Sequence, residues 1–524
     1  MSRNPSGNGI TRRDLIKGSV VAGMSLPILQ GRIPADAAET PRAGGSAIFA
    51  LEEDPLSLDV HKESMVVFIS CLGDLVYQSL ARFDQNMAVQ PALAESWENP
   101  DPLTWIFKLR RGVRYHNGDE VEAEDLAFWL RWMNEPKTVA VWKSYFRDIS
   151  KVEVVDKYTA KFHLSAPYAP LLNMLAAMQG SAIAPRRWGD SQKDWKQAAV
   201  GSGPFQVTEF VPYSHMKYAK HKGYWEKGLP YLDEVMFKIM VEEDARVAGL
   251  RAGAIHHALL TPETAKRLAG TKNIQLLQSP GSGPWSIFVN TRRKPWDDVR
   301  VRQAASLAID RKDVIDKASG GLGAISGPVV PALSEYAIPA EELERRWFKQ
   351  DVLKAKQLLA AAGYSNGLKT NIYVPSDRKY IDIALAVQHH FKAVGIDVDI
   401  VQAEMAVWQN TIRAFNYDLT VNAWGPRADP DGYFSRSYKW KSDLNFTGYG
   451  SEALDAKIDK AKETSHPQER RSLYRAIQEE VLDNAICLYL FASIEMQAVH
   501  DSLKGYSAAP LGRRKEIVRA WVSK

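Results

Sequence analysis

Serines between glycines, paired histidines, two cysteines and short carboxylate runs are the groups in this chain that could do chemistry, and their spacing decides which. Gly-Ser-Gly-Pro occurs twice, at 201–204 and 281–284. Neither is a nucleophile elbow, which centres its serine in Gly-x-Ser-x-Gly on a strand-to-helix turn; both read as turns. His256-His257 and His389-His390 are adjacent pairs, and adjacent side chains on a helix or strand diverge rather than chelate. No His-Glu-x-x-His and no Cys-x-x-Cys occurs, so the sequence predicts no metal site. Gly321-Leu322-Gly323 with Gly327 imitates a dinucleotide loop, but Ser326 stands where the third glycine belongs and the run follows a helical pattern rather than a strand. Glu52-Glu53-Asp54 and Asp297-Asp298 read as solvated faces or helix caps. No catalytic residue and no cofactor is expected.

The chain has 524 residues, 45% hydrophobic and 25% charged, a globular composition long enough for about three domains. Lysine and arginine exceed aspartate and glutamate by only 5. The basic run Arg292-Arg293-Lys294 is too short for a nucleic-acid footprint, and no nucleic-acid partner is expected. Two cysteines, Cys71 and Cys487, cannot form a disulfide framework, and their spacing leaves open whether they pair. The 15 tryptophans suit cores and also the floors of binding sites.

The first residues read as an address. Arg12-Arg13 precedes a short apolar run, Val20 to Leu29, and Ala35-Asp36-Ala37 offers the small residues of a cleavage site. This is a twin-arginine export pattern, residues 1–37. The apolar run is shorter than the ~20 residues a membrane span needs, and no cysteine follows it closely for a lipid anchor. Cleavage after Ala37 removes Arg3, Arg12, Arg13, Lys17 and Arg32 with Asp14 and Asp36. The mature protein is expected to be exported, soluble and periplasmic.

The elements that must position any site follow from periodicity. Strands are predicted at Ala47–Leu51 and Trp105–Leu109, and helices at Met65–Leu80 and Glu122–Met133, with a turn at Asn117-Gly118. In the second half, Val299–Ile309 and Val352–Ala362 read as helices. A strand at Lys369–Val374, a helix at Tyr380–Val394 closed by Gly395, and a strand through Ile396, Val398 and Ile400 form a strand–helix–strand unit. That unit argues for an α/β fold.

Several segments, in order, resemble the oligopeptide- and dipeptide-binding family (family 5) of extracytoplasmic solute-binding proteins of ABC importers. They are Asp54-Pro55-Leu56-Ser57-Leu58-Asp59, Val76-Tyr77-Gln78-Ser79-Leu80 and Pro91-Ala92-Leu93-Ala94-Glu95-Ser96-Trp97. The most distinctive is Phe107 to Gly118 followed by Ala123-Glu124-Asp125. Val200 to Phe205, Gly223-Tyr224-Trp225, Asp298 to Arg311 and Ala355 to Tyr364 complete the series. The resemblance implies an α/β, two-lobed periplasmic-binding-protein fold, type II and cluster C-like, with an extra domain inserted in the first lobe. It divides the mature chain into lobe I (38–79, 186–285 and 491–524), the inserted domain (80–185) and lobe II (286–490). A small-molecule solute would be enclosed between the lobes and passed to permease subunits in the inner membrane by a monomeric receptor.

By the same resemblance, ligand contacts fall at Glu63, Ser64 and Met65, and in lobe II at Trp408, Trp424, Gly425, Arg427 and Asp429. In the peptide binders an aspartate three residues after the second tryptophan receives the peptide's ammonium; this chain has Arg427 there, with Asp429 as a displaced equivalent. An arginine at that point would repel an ammonium and grip a carboxylate or phosphate. The alternatives are an arginine in solvent or paired with Asp429 or Asp431. The implied ligand is a peptide, an opine-like compound or a sugar conjugate. From another class, an exported hydrolase or redox enzyme remains the alternative, since the twin-arginine route carries folded proteins.

Overall fold

The computed structural model describes residues 40–523 apart from 56, 60–68, 139, 141, 178–179, 188–198, 426 and 511–512. Among the described residues, every element of the fold lies within the unit 41–524. The export leader and Glu63, Ser64 and Met65 lie outside the described residues.

With strands numbered in chain order, the main sheet runs β15 (Ile396–Ala403), β14 (Leu368–Pro375), β16 (Leu419–Ala423), β12 (Ile274–Val289), β17 (Cys487–His500), β11 (His257–Leu260), β1 (Ser46–Leu51), β10 (Glu234–Ile239), β9 (His215–Lys220), β8 (Phe205–Val211). A short β13 (Gly323–Ile325) also pairs with β17. A separate four-stranded antiparallel sheet runs β4 (Ala94–Asp101), β5 (Thr104–Leu109), β7 (Thr159–Leu164), β6 (Ile149–Asp156). Two small ribbons pair β2 (Ala81–Phe83) with β3 (Val89–Pro91) and β18 (Leu503–Lys504) with β19 (Trp521–Val522).

The strand–helix–strand unit forms as its pattern predicts. Helix α6 (Arg378–Val394) starts where the Asp377 side chain accepts from the Lys379 N–H and stops at Gly395, φ 92°, a left-handed position that favours glycine. It buries Ile383, Val387, Phe391 and Val394 against parallel β14 and β15, in register from Leu368↔Ile396 to Pro375↔Ala403. Helices α3 (Val299–Ala308), α4 (Arg311–Ser319) and α5 (Val352–Ala361) complete the cluster around Trp296 and Ile372. In the four-stranded unit, α1 (Ala123–Asn134) opens with a reciprocal box in which Glu122 accepts from the backbone of Asp125 and Asp125 from that of Glu122. Its buried face and α2 (Leu171–Ala176) pack on Phe107 and Phe162. This is the extra domain of a two-lobed α/β fold.

Two expectations are corrected. The helix predicted to Leu80 has left helical geometry well before that residue. The described Ile69–Gly73 is one π-type turn, after which Gly203 and Phe205 donate to the carbonyls of Val76 and Leu75 and Gln78 bridges to Ile183. Backbone partners outcompete the helix. The Gly-Ser-Gly-Pro at 201–204 is what makes this possible: a Cβ on Gly201 would lie 2.0 Å from the Val76 carbonyl oxygen. The second copy is not a turn but part of β12, where register shifts between Pro280 and Pro284. A Cβ on Gly281 would sit 2.7 Å from the Ser493 carbonyl, and one on Gly283 2.1 Å from that of Trp424. Glycine admits the crossing backbones. Cys71 and Cys487 are both buried and free, each inside a different core cluster.

Candidate functional site

Strand directions locate the crevice. The two long strands β12 and β17 run antiparallel through both lobes, from Ile274↔His500 to Phe288↔Cys487. In lobe I, β11 is antiparallel to β17 and ends at Leu260↔Met496, and β1 is parallel to β11. Both therefore point their carboxyl ends toward lobe II. In lobe II, β16 is antiparallel to β12 and ends at Ala423↔Trp285, and β14 and β15 run parallel with it. Their carboxyl ends point back toward lobe I. The two sets converge over residues 280–285 and 492–496, and carboxyl strand ends are where open α/β sheets bind ligands.

From the lobe I side, β1 delivers Glu52, Glu53 and Asp54. Glu52 lies 3.2 Å from Arg246. Burial raises its carboxyl above the usual range, Arg246 and Arg514 oppose the rise, and Glu495 and Glu53 add to it. On β17, alternate residues Ser493, Glu495 and Gln497 share a face. Ser493 accepts from the Trp285 indole at 2.8 Å, and Gln497 donates to Glu495 at 2.7 Å and meets His257 at 3.0 Å. Glu495 thus stands on the floor between the lobes.

From the lobe II side come aromatic rings and cations. Trp285 packs edge-on against Tyr380 with centroids 5.0 Å apart, and Tyr380 against Trp408 at 5.8 Å. Lys379 reaches over Phe491 at 5.4 Å, and burial lowers its ammonium below the usual range. Trp424, just past β16, stacks on Phe446 at 6.2 Å and 10°. Its indole nitrogen is buried and has no hydrogen-bond partner among the described residues.

The residues singled out from sequence separate into two groups. Trp424, Gly425 and Arg427 lie on the loop after β16 and stand together: a Cβ on Gly425 would be 3.6 Å from the Arg427 guanidinium. The Arg427 stem crosses Gly432, where a Cβ would lie 2.9 Å from its Cδ. Trp408 and Asp429 are placed inside lobe II rather than on an open wall. Trp408, on α7 (Met405–Arg413), is 7% exposed and donates its indole N–H to Thr420 at 3.0 Å. It supports Tyr380 from behind. Asp429 is 0% exposed, and its oxygens accept from Arg470 at 2.7 and 3.0 Å, from Asn173 at 2.8 Å and from the Asp431 backbone at 2.9 Å. Trp285, Tyr380, Lys379 and Glu495 were not marked by the sequence; their only signal is position, Trp285 directly after the second Gly-Ser-Gly-Pro and Lys379-Tyr380 at the start of a helix after a parallel strand.

Among the described residues no group of histidine, cysteine and carboxylate side chains is arranged to hold a metal ion. No described helix is long and apolar enough to cross a membrane. Two lobes joined by crossing strands, with opposite polarity on the facing walls, define a hinged receptor for a small molecule.

The chain belongs to the bacterial extracellular solute-binding proteins, family 5, whose middle-region model matches residues 88–445. The glutathione-binding protein GsiB of Salmonella choleraesuis (strain SC-B67) is 28% identical over 447 residues, 83% of this chain and 86% of that protein. The periplasmic binding protein AgaA of A. tumefacien R10, solved with agropinic acid, has a TM-score of 0.76 at 26% identity, covering 92% of this chain and 99% of that one. DppA of Helicobacter pylori, an ABC transporter-associated protein solved with the peptide STSA, has the same TM-score, identity and coverage.

Proposed function

We infer that the protein is the substrate-binding receptor of an ABC importer, taking an amino-acid-derived solute between its lobes and delivering it to permease subunits. The solute is a peptide-like or opine-like compound, or a sugar conjugate of one, that carries both a cationic and an anionic group. The observation that carries it is the polarity of the crevice: Glu52, Glu53 and Glu495 from lobe I and the floor, Lys379 and Arg427 with Trp424 from lobe II. Arg427 takes the anion, and Trp424 offers a flat face and a donor. Relatives solved with an opine and with a peptide, and one named for glutathione, support this class of solute. A peptide held by Asp429 is disfavoured, because Arg470 and Asn173 already occupy that carboxylate.

The receptor acts without turnover, as a monomer, in the periplasm, after export by Arg12-Arg13 and cleavage near Ala37. Its lobes divide near residues 79, 185, 285 and 490, the boundaries implied by the family resemblance. The relatives are binding proteins, which supports a receptor over an exported hydrolase or redox enzyme. The test is mass spectrometry of small molecules released when the purified protein is denatured. Release of a compound carrying both a cationic and an anionic group supports the reading; release of a purely apolar or uncharged compound contradicts it.

A further inference from the structure

We propose that the extra domain carries a latch, Asp148 and Asn173 gripping Lys462 and Asp429, that holds the two lobes of the solute-free receptor together. The proposal rests on the two-lobed receptor reading but not on which solute is carried.

The extra domain is fixed to lobe I. Gln78 bridges to Ile183, the His116 N–H donates to the Gly201 carbonyl at 2.9 Å, and the Arg110 guanidinium lies 4.4 Å over the Trp225 ring. Arg513, near the C-terminus, forks between Asp74 and the Ala177 carbonyl at the end of α2. Motion of lobe II about β12 and β17 therefore leaves this domain behind.

Yet the same domain also touches lobe II, through residues far apart in sequence. Lys462, near the end of α9 (Glu452–Glu463), sits 2.7 Å from Asp148, with side chains 12% and 16% exposed. Its ammonium lies 5.2 Å over Tyr168, and its carbonyl accepts from the Ala169 N–H at 3.0 Å. Asn173 on α2 donates to Asp429 at 2.8 Å, an acceptor that Arg470 holds in place from behind. Arg436, on α8 (Asp431–Ser437), donates to the Tyr145 hydroxyl at 3.0 Å. Ala428 is buried in the domain's apolar cluster.

These contacts form a second bridge between the halves of the molecule, separate from the crossing strands. Among the described residues they are mostly polar and partly shielded from water, so each is strong enough to bias closure and local enough to break. Every partner belongs to the protein, so the bias acts before any solute arrives. A receptor whose binding-competent form is already populated loses less apparent affinity to closure.

The experiment is small-angle X-ray scattering on protein stripped of solute by unfolding and refolding. Wild type is compared with Lys462→Met, Lys462→Asp, and Lys462→Asp combined with Asp148→Lys; circular dichroism and thermal melting show that each is folded. The closed-to-open ratio is expected to drop about tenfold in the single variants, seen as a larger radius of gyration. The charge-swapped pair is expected to recover compaction, which a variant that merely loosened α9 would not. Lys462→Met, which keeps the stem without the charge, is expected to open the receptor even if Lys462→Asp melts early. Equal radii for wild type and Lys462→Met would overturn the latch, and failure of the swapped pair to re-close would overturn the pairing of Asp148 with Lys462.

Discussion

Arg470 closes a fork on Asp429, Nη2 to Oδ1 at 2.7 Å and Nη1 to Oδ2 at 3.0 Å, with side chains 5% and 0% exposed. The pair ties α10 (Pro467–Asp483) to the loop after β16, and the same guanidinium reaches the Tyr336 hydroxyl at 3.0 Å. Asp429 is therefore a structural carboxylate, anchored to α10 from behind.

Asp429→Ala is expected to destabilise the fold by about 3–5 kcal/mol, the cost of leaving a buried guanidinium without its partner. Urea denaturation checks it. A variant that keeps wild-type stability but loses binding would move Asp429 back to the crevice.

Arg427→Ala is expected to weaken binding of the anionic solute about ten- to a hundredfold, since a hydrogen bond to a charged group contributes about 1.5–3 kcal/mol. Arg427→Lys should recover part of the loss, because a point charge lacks the planar fork. Titration calorimetry with the compound identified by mass spectrometry measures both. Unchanged affinity in Arg427→Ala would leave Lys379 as the anion's partner.

Buried histidines set the acid limit. His116, enclosed against His221 and the Gly203 carbonyl, has its imidazolium pushed down to about 4 by burial. His257, between Gln497 and Arg514, is pushed down to about 3. Both folded values lie below the unfolded value near 6.5, so the unfolded chain takes up protons first. Their contribution is whole above about pH 6.5 and is lost as pH falls toward 4 and 3. His116 alone should cost about 2 kcal/mol by pH 5. His116→Asn is expected to flatten the fall in urea midpoint between pH 7 and 5; a slope equal to wild type would contradict it.

Asp431 runs the other way. Burial and neighbouring Asp429 push its carboxyl up to about 6, against the Ser435 hydroxyl and Lys462. With the folded value above the unfolded one, its ionisation disfavours the fold increasingly from about pH 4 to 6. Asp431→Asn should therefore be more stable than wild type at pH 7, with the gain vanishing near pH 4. A gain independent of pH would point to packing instead.

Export is tested by replacing Arg12 and Arg13 with lysine. The twin-arginine reading predicts retention of uncleaved protein in the cytoplasm, seen by fractionation, whereas undiminished export of the variant would exclude that route.

Local pattern carried much of the fold. The 378–394 helix, its glycine stop and the flanking parallel strands were readable because one amphipathic face and one αL position specify them. The helix predicted to Leu80 failed because Gly201 and Gly203 let a distant backbone take its carbonyls, a non-local competition that periodicity cannot register. For the candidate site, place along the chain was legible and partners were not. Trp424 and Arg427 stand on the expected loop, but the role of Asp429 depends on Arg470, 41 residues away, and that of Tyr380 on Trp285 across the sheet. Neither pairing leaves a mark in spacing.

Capture of a small solute between two lobes, without chemical change, is tested by returning to the protein what it released. The small-molecule fraction freed by denaturing the purified protein is added back at about a hundredfold excess over Kd, and thermal unfolding is followed. A stabilisation of about 2.7 kcal/mol is expected, with the added compound recovered at unchanged mass. A fraction that leaves the melting curve where it was, or that returns chemically altered, would contradict capture without turnover.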